Sequence, residues 1–198
     1  MNQVKTTSGT FTPPQFSEVI FKTSRFADMK EWYETLTDVK AFFVRNDAKK
    51  ATWAGALNIA FIRIFSDHPY TQVLGIFEVP AVAGRADNQK GEPGMHHMQL
   101  RHASLDHLFS RYEALRATGI TPMRSFNHGP GTSFYYHDPD GNTVELSAVN
   151  FVSEADYLAY FRSASYAKNI SGIEIDPAAY VARFRAGTPQ EALVSIEG

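Results

Sequence analysis

The sequence predicts an α+β protein made of two tandem βαβββ modules followed by a helical tail. One observation is an internal repeat: a shift of 79 positions places Glu18 on His97 and Tyr33 on Tyr112. A second observation is the order within each copy, in which a short apolar run precedes a helical pattern and three further strand-like runs. Because a repeated order of this kind indicates duplication, we expect two similar modules.

The first module is expected over residues 15–80. A helical spacing follows its first strand, since apolar side chains recur about every third or fourth position from Phe26 to Leu36. A turn-rich stretch at 66–69 separates the last two strands. The predicted strands are 19–23, 41–45, 57–65 and 72–79.

The second module is expected over residues 94–149. Ser104 is a suitable N-cap for its helix, and Gly119 is suited to end it. The turn at 138–142 predicts a hairpin between the last two strands. The predicted strands are 95–102, 121–124, 133–137 and 143–148.

Three further segments complete the predicted organisation. Residues 1–14 are expected to form a flexible N-terminus, and residues 81–93 a linker rich in glycine, proline and charge. Residues 150–198 are predicted to form a tail with two short helices, which Ser153 and Asp176 would cap.

Composition narrows the possible functions. The 198 residues are 43% hydrophobic and 20% charged, which favours a chain that buries a core. The net charge of −2 gives no basic surplus, so we expect neither a nucleic acid nor a membrane as partner. No apolar run approaches the roughly 20 residues that cross a bilayer, and we expect a cytoplasmic protein. Without cysteine, any metal must be held by His, Asp or Glu.

Alternation along the strands of the second module places His97 on a polar face with Gln99 and Arg101. Glu145 likewise faces away from its apolar neighbours. Spacing alone leaves open a structural histidine and a solvent-facing glutamate. The repeat adds Glu18, which lies in an apolar strand where an unpaired carboxylate would be costly, and a shared metal ion would remove that cost.

The stretch from Ser133 to Leu146, Ser-Phe-Tyr-Tyr-His-Asp-Pro-Asp-Gly-Asn-Thr-Val-Glu-Leu, resembles the vicinal oxygen chelate superfamily. That superfamily includes glyoxalase I and the type I extradiol dioxygenases, and the resemblance covers about residues 15–150. The tail segment 166–177 resembles the short branch of biphenyl-diol dioxygenases. The resemblance implies that the two modules form one curved, partly closed sheet around a metal cavity, and we expect a homodimer.

The resemblance also implies roles for individual residues. His97 and Glu145 match the second-module metal ligands, and Glu18 occupies the position of the ligand from the first module. Tyr135 matches a tyrosine that contacts a substrate oxygen, and His128 a histidine near bound oxygen. From the residues alone, Tyr135 could equally be a core tyrosine and His128 a loop histidine.

The first module departs from the family pattern at two places. The resemblance implies Fe²⁺ as the metal. The dioxygenase branch has histidine where this chain has Glu18, and this additional carboxylate makes Mn²⁺ and Mg²⁺ alternatives. The branch also carries a histidine pair for proton transfer near the positions of Thr71 and Gln72. His68, nearby in sequence, is the candidate to replace it, although a histidine in a turn is commonly just exposed.

These observations predict a metal-dependent enzyme, an extradiol-dioxygenase-like oxygenase that acts on an aromatic diol or a related phenolic compound. No organic cofactor is expected. One alternative is a non-oxidative isomerase, lyase or cyclase, in which the metal stabilises an enolate and Glu18 is the general base. Another is a small-molecule binding protein that uses the same cavity without chemistry.

Overall fold

The computed structural model describes residues 14–46, 55–82 and 94–196. The chain divides into two compact units, Met1–Gly84 and Arg85–Gly198. The predicted N-terminal segment and linker fall mostly outside the described residues, so those boundaries stay predictions, as do the homodimer and the cytoplasmic location. Within the described ranges, every helix is too short or too polar to cross a membrane.

The first unit has the predicted βαβββ order. Its sheet has the strand order β1-β4-β3-β2, in which β1 and β4 are parallel and the other neighbours are antiparallel. The elements are β1 (Glu18–Thr23), α1 (Phe26–Thr37), β2 (Phe43–Asn46), β3 (Asn58–Asp67) and β4 (Tyr70–Glu78).

The apolar face of α1 forms the core of this unit. Met29, Tyr33 and Leu36 are almost fully buried, which confirms the helical spacing predicted from the sequence. The ring of Tyr33 stacks on Phe21 of β1, with the ring centroids 4.9 Å apart. The helix is thereby fixed to one face of the sheet.

The second unit repeats the order strand, helix, three strands. The edge strand β5 is parallel to β8, and the sheet order is β5-β8-β7-β6-β9. The first five elements are β5 (Met98–Arg101), α2 (Leu105–Ala117), β6 (Arg124–Asn127), β7 (Gly131–His137) and β8 (Thr143–Val149). The Ser104 hydroxyl caps α2 by accepting a hydrogen bond from the backbone N–H of His107 at 3.3 Å.

The two faces of this second sheet differ in chemistry. Phe134 and Leu146 are buried on the face that packs against α2, where Phe134 stacks on Phe109. The alternate residues Tyr135 and Glu145 lie on the opposite, polar face and are direct partners across β7 and β8. The polar face is therefore free to form a site while the apolar face supplies the core.

The tail contains more structure than the two predicted helices. Ser153 caps α3 and Asp176 caps α5, with Pro177 as the first helical residue, as predicted. The two-residue strand β9 pairs with β6 and extends the sheet. The tail elements are α3 (Glu154–Tyr160), α4 (Ala164–Lys168), β9 (Ile173–Glu174), α5 (Pro177–Arg185) and α6 (Gln190–Val194).

The expectation of one partly closed sheet is wrong for the described residues. Their strands form two separate sheets, of four and five strands, and neither closes. In each sheet the first strand of the module, β1 or β5, is an edge strand. The hydrogen-bond ladder thus ends at each of these strands, and this equivalence of edges agrees with the predicted duplication.

Glu34 is an acidic residue buried at the C-terminal half of α1. Its carboxylate lies 2.8 Å from Lys30 Nζ and 3.1 Å from Lys40 Nζ, and it accepts a hydrogen bond from the backbone N–H of Ala41. Burial alone would raise the pKa of Glu34, but the bonds from Lys30, Ala41 and Lys40 outweigh it and hold the pKa at about 2.

We expect Glu34→Gln to lower the stability of the protein by about 1–2 kcal/mol near neutral pH, because the charge-assisted bonds are lost. Since the folded pKa lies below the usual 4.5, this contribution is present above that pH and is lost as pH falls towards 2. Thermal unfolding at neutral and at acidic pH measures it. The exposed Glu31→Gln on the same helix is the control, and equal effects of the two variants would contradict this assignment.

Candidate active site

The carboxylate of Glu145 is at the centre of the polar face of the second unit. Glu145 is only 4% exposed. One carboxylate oxygen accepts hydrogen bonds from Ser133 Oγ at 2.6 Å and from Gln99 Nε2 at 2.8 Å. The other oxygen lies 2.9 Å from His97 Nε2. These donors come from β7, from β5 and from the residue before β5, so strand pairing assembles the cluster.

His97 is one residue outside the strand predicted to contain it, because β5 begins at Met98. Its side chain is one-third exposed, and its Nδ1 lies 2.7 Å from Nδ1 of His96. One of these two nitrogens must carry a proton for a hydrogen bond to form. If His96 donates, Nε2 of His97 carries the other proton and donates to Glu145. If His97 donates, its Nε2 lone pair is free for a ligand.

His128 and Tyr135 form a second pair on the same face. His128 Nδ1 lies 2.7 Å from the carbonyl oxygen of Ser171, and its Nε2 lies 3.0 Å from the hydroxyl of Tyr135. A carbonyl oxygen only accepts, so Nδ1 carries a proton. In the neutral imidazole, Nε2 therefore accepts a hydrogen bond from the Tyr135 hydroxyl. The pair can therefore hold a proton on the Tyr135 hydroxyl or accept that proton on His128 Nε2.

A buried amide network fixes the turn that carries His128. The side-chain oxygen of Asn127 accepts from the backbone N–H of Gly129 and from Asn150 Nδ2, both at 2.9 Å. Gly129 has φ of 90°, and a Cβ at that position would come within 2.1 Å of the Tyr160 hydroxyl. Only glycine suits this turn, which aims His128 at Tyr135.

The two predicted site residues of the first unit lie on exposed positions of that unit. Glu18 is the first residue of the edge strand β1, and it is exposed. The expectation that an unpaired Glu18 would be costly is therefore wrong, because water solvates the carboxylate. His68 lies in the exposed turn between β3 and β4. The predictions that Glu18 binds the same metal as His97 and Glu145, and that His68 acts in catalysis, stay predictions.

The His97 and Glu145 pair suits a divalent metal. Two ligands at right angles on one ion, each about 2.1 Å from it, are about 3 Å apart. The observed separation of 2.9 Å matches that spacing. In the described part of the second unit, no third His, Asp or Glu completes a group that could hold a metal. The second unit thus offers two ligands, and a third would have to come from elsewhere.

Sequence reasoning missed several supporting residues. Alternation along β5 placed Gln99 beside His97, but it did not indicate a bond to Glu145. Ser133 lay within the motif without a role, and the carbonyl of Ser171 could not be found from a side-chain pattern. A buried acid facing a polar strand was the available signal, since such a carboxylate needs donors.

The fold and the site define a class of α+β proteins built from βαβββ units, here with a histidine before the first strand and a buried glutamate on the last strand of the second unit. Within that class, this chain belongs to the Glyoxalase/Bleomycin resistance protein/Dioxygenase superfamily, whose sequence model matches residues 16–146.

Two relatives and one solved structure are similar to the chain. Biphenyl-2,3-diol 1,2-dioxygenase 2 of Rhodococcus globerulus is 32% identical over 182 residues, covering 92% of this chain and 87% of the relative. Biphenyl-2,3-diol 1,2-dioxygenase 3 of the same organism is 26% identical, covering 92% and 88%. A glyoxylase/bleomycin resistance protein/dioxygenase domain from Frankia covers 70% of this chain and 99% of its own, at 16% identity and a TM-score of 0.50, and shows the fold.

The environment of Tyr135 keeps its hydroxyl protonated. Burial and, to a smaller extent, the negative charge of Glu145 together raise the pKa of Tyr135 to about 12, against a smaller lowering by a hydrogen bond with Ser133. Tyr135 therefore remains a hydrogen-bond donor throughout the neutral and mildly alkaline range.

We expect the metal-free Tyr135→Phe variant to show the same tyrosinate absorbance as the metal-free native protein up to about pH 11. An ordinary tyrosine titrates near 10, whereas Tyr135 titrates near 12 and so adds no absorbance below that pH. The difference from the native protein should emerge only above that range. A spectrophotometric pH titration of both proteins measures it. A lower tyrosinate absorbance in the variant than in the native protein near pH 10 would show that Tyr135 titrates normally.

Proposed function

We propose that the protein is a metal-dependent oxygenase of the extradiol-dioxygenase type, acting on an aromatic diol or a related phenolic compound. The single observation that supports this most is the cluster of His97, Glu145, Tyr135 and His128 on one polar sheet face. The similarity to two biphenyl-2,3-diol dioxygenases over 92% of the chain supports the same class.

In this proposal His97, Glu145 and Glu18 hold the metal, with Fe²⁺ as the first choice and Mn²⁺ or Mg²⁺ as alternatives. When bound there, the metal would supply Lewis-acid and redox chemistry towards a diol and O₂. Gln99 and Ser133 orient the Glu145 carboxylate by donating to its other oxygen.

The protein's own groups would manage the substrate protons. The Tyr135 hydroxyl, kept protonated by its environment, donates to Nε2 of His128, so its oxygen accepts a hydrogen bond from a substrate hydroxyl. The Nε2 atom of His128 accepts a proton through that hydroxyl, while the carbonyl of Ser171 keeps the imidazole in its tautomer. His68 is proposed as a further proton-transfer group, in place of the histidine pair of the branch.

Glu18 favours a second candidate function, a non-oxidative isomerase, lyase or cyclase. A carboxylate where the dioxygenases have histidine supplies an exposed base and adds negative charge to the ligand set. In that case the substrate would be converted without consuming O₂.

O₂ uptake distinguishes these functions. The protein, purified without a metal-binding tag and reconstituted with Fe²⁺ under anaerobic conditions, is mixed with biphenyl-2,3-diol and other diols in an oxygen electrode. Consumption of O₂ together with a yellow ring-opened product supports the oxygenase. Product formation without O₂ supports the second candidate, and binding without conversion supports a binding protein.

We expect His97→Ala to remove most of the bound metal, because the variant loses one of the two ligands in the second unit. Elemental analysis after reconstitution measures the metal. His107→Ala, which removes an exposed histidine on α2, is the matched control and should retain it. Equal metal content in the native protein and His97→Ala would defeat the ligand assignment.

We expect Glu18→His to increase the preference for Fe²⁺ over Mn²⁺ and to uncover weak extradiol cleavage. A neutral imidazole in place of a carboxylate would leave the metal site with more net positive charge. The native protein should cleave simple catechols poorly or not at all. Competitive metal loading and the absorbance of the ring-opened product measure both effects. Vigorous cleavage by the native protein, reduced in Glu18→His, would refute this interpretation of Glu18.

A further inference from the structure

The cleft over the polar face extends beyond Glu145 to Arg101 and Ser147. We propose that Arg101 and Ser147 form a subsite for a carboxylate, so that the substrate is an aromatic diol that also carries a carboxylic acid. This inference rests on the proposed function and specifies its substrate class.

Strand pairing places the two residues side by side. In the parallel pair β5 and β8, Gln99 is opposite Glu145 and Arg101 is opposite Ser147. Arg101 therefore lies on the same face as Gln99, one full side-chain repeat further along the strand. Both Arg101 and Ser147 line the cleft that contains Glu145 and His128.

Arg101 is a cation without a counter-ion in the described part of the chain. Its guanidinium makes no hydrogen bond or ion pair there, whereas Arg185 on the opposite side of the sheet contacts Asp106 and Glu113. Glu145 already accepts from Gln99 and Ser133 and lies beside His97. The guanidinium of Arg101, at an exposed position, therefore has no direct ion-pair partner among the described residues that line the cleft.

Ser147 supplies an independent observation. It is 2% exposed, and its hydroxyl has no hydrogen-bond partner among the residues that the structure describes. A buried hydroxyl without a partner is destabilising, so such groups commonly have a ligand or water as partner. Its neighbour across the strands, Ser133, is bonded to Glu145. The unused hydroxyl of Ser147 is thus available to a group bound beside Arg101.

A carboxylate fits this pair of donors. The planar guanidinium forms paired hydrogen bonds with a carboxylate, and a hydroxyl adds a third donor. Two residues along a strand advance about 6.7 Å, comparable to the span of a benzene ring with substituents at opposite ends. A diol held at Glu145 and His97 would thereby place a carboxylate on the far side of the ring near Arg101.

The test compares 3,4-dihydroxybenzoate with its neutral isostere 3,4-dihydroxybenzamide. Affinities are measured by calorimetry under anaerobic conditions, on the metal-free and the Fe²⁺-reconstituted protein, so that no turnover is required. We expect the native protein to bind the benzoate at least about tenfold more tightly, as is typical of hydrogen bonds to a charged group.

Variants assign this preference to the subsite. Arg101→Gln should bind both compounds equally, and Arg101→Lys should retain part of the preference because it keeps the charge and loses the paired geometry. Ser147→Ala should reduce the preference roughly threefold while leaving or raising the melting temperature, since it removes an unpartnered hydroxyl. Arg116→Gln, an equal charge change at an exposed position of α2, is the control and should behave as the native protein.

Equal affinity for the two compounds in the native protein, no binding of either, or an unchanged preference in Arg101→Gln would overturn the inference. Its failure is distinguishable from failure of the proposed function. An anaerobic preference for the benzoate that depends on Arg101, together with no O₂ consumption in the separate oxygen-electrode assay, supports the subsite and rejects the oxygenase. O₂ consumption with biphenyl-2,3-diol and no charge preference rejects the subsite alone.

Discussion

The buried carboxylate of Glu145 is the constraint on which the polar face of the second unit depends. A carboxylate removed from water needs donors, and Gln99, Ser133 and His97 surround it from two segments, residues 97–99 and β7. A slip of one residue in either strand pairing would turn these donors to the apolar face. The same strand register therefore sets both the pairing of β5, β8 and β7 and the geometry of the site.

The two faces of this sheet divide stability from chemistry. Phe134 and Leu146 are buried between the sheet and α2, and this packing stabilises the sheet from its apolar face. The polar face contains the hydroxyl of Ser147, which has no hydrogen-bond partner among the described residues, and the exposed guanidinium of Arg101.

Local patterns predicted much of this architecture, because periodicity and capping depend on nearby residues. They gave the order of both modules, the caps at Ser104 and Asp176 and the shared face of His97 and Glu145. They missed β9, whose two residues form a strand only because β6 lies beside them. They also misjudged the solvation of Glu18, since exposure depends on the whole fold rather than on the apolar neighbours in sequence.

The tail, predicted as a separate segment, is part of the site. Its β9 strand extends the sheet, and the carbonyl of Ser171, just before that strand, sets the tautomer of His128. Asn127 in turn donates to the carbonyl of Val194 in α6. Because the imidazole can accept a proton from Tyr135 only in that tautomer, the proton chemistry of the polar face depends on a contact made more than forty residues further along the chain. A truncated chain of strands alone would keep His97 and Glu145 but would lose the group that orients His128.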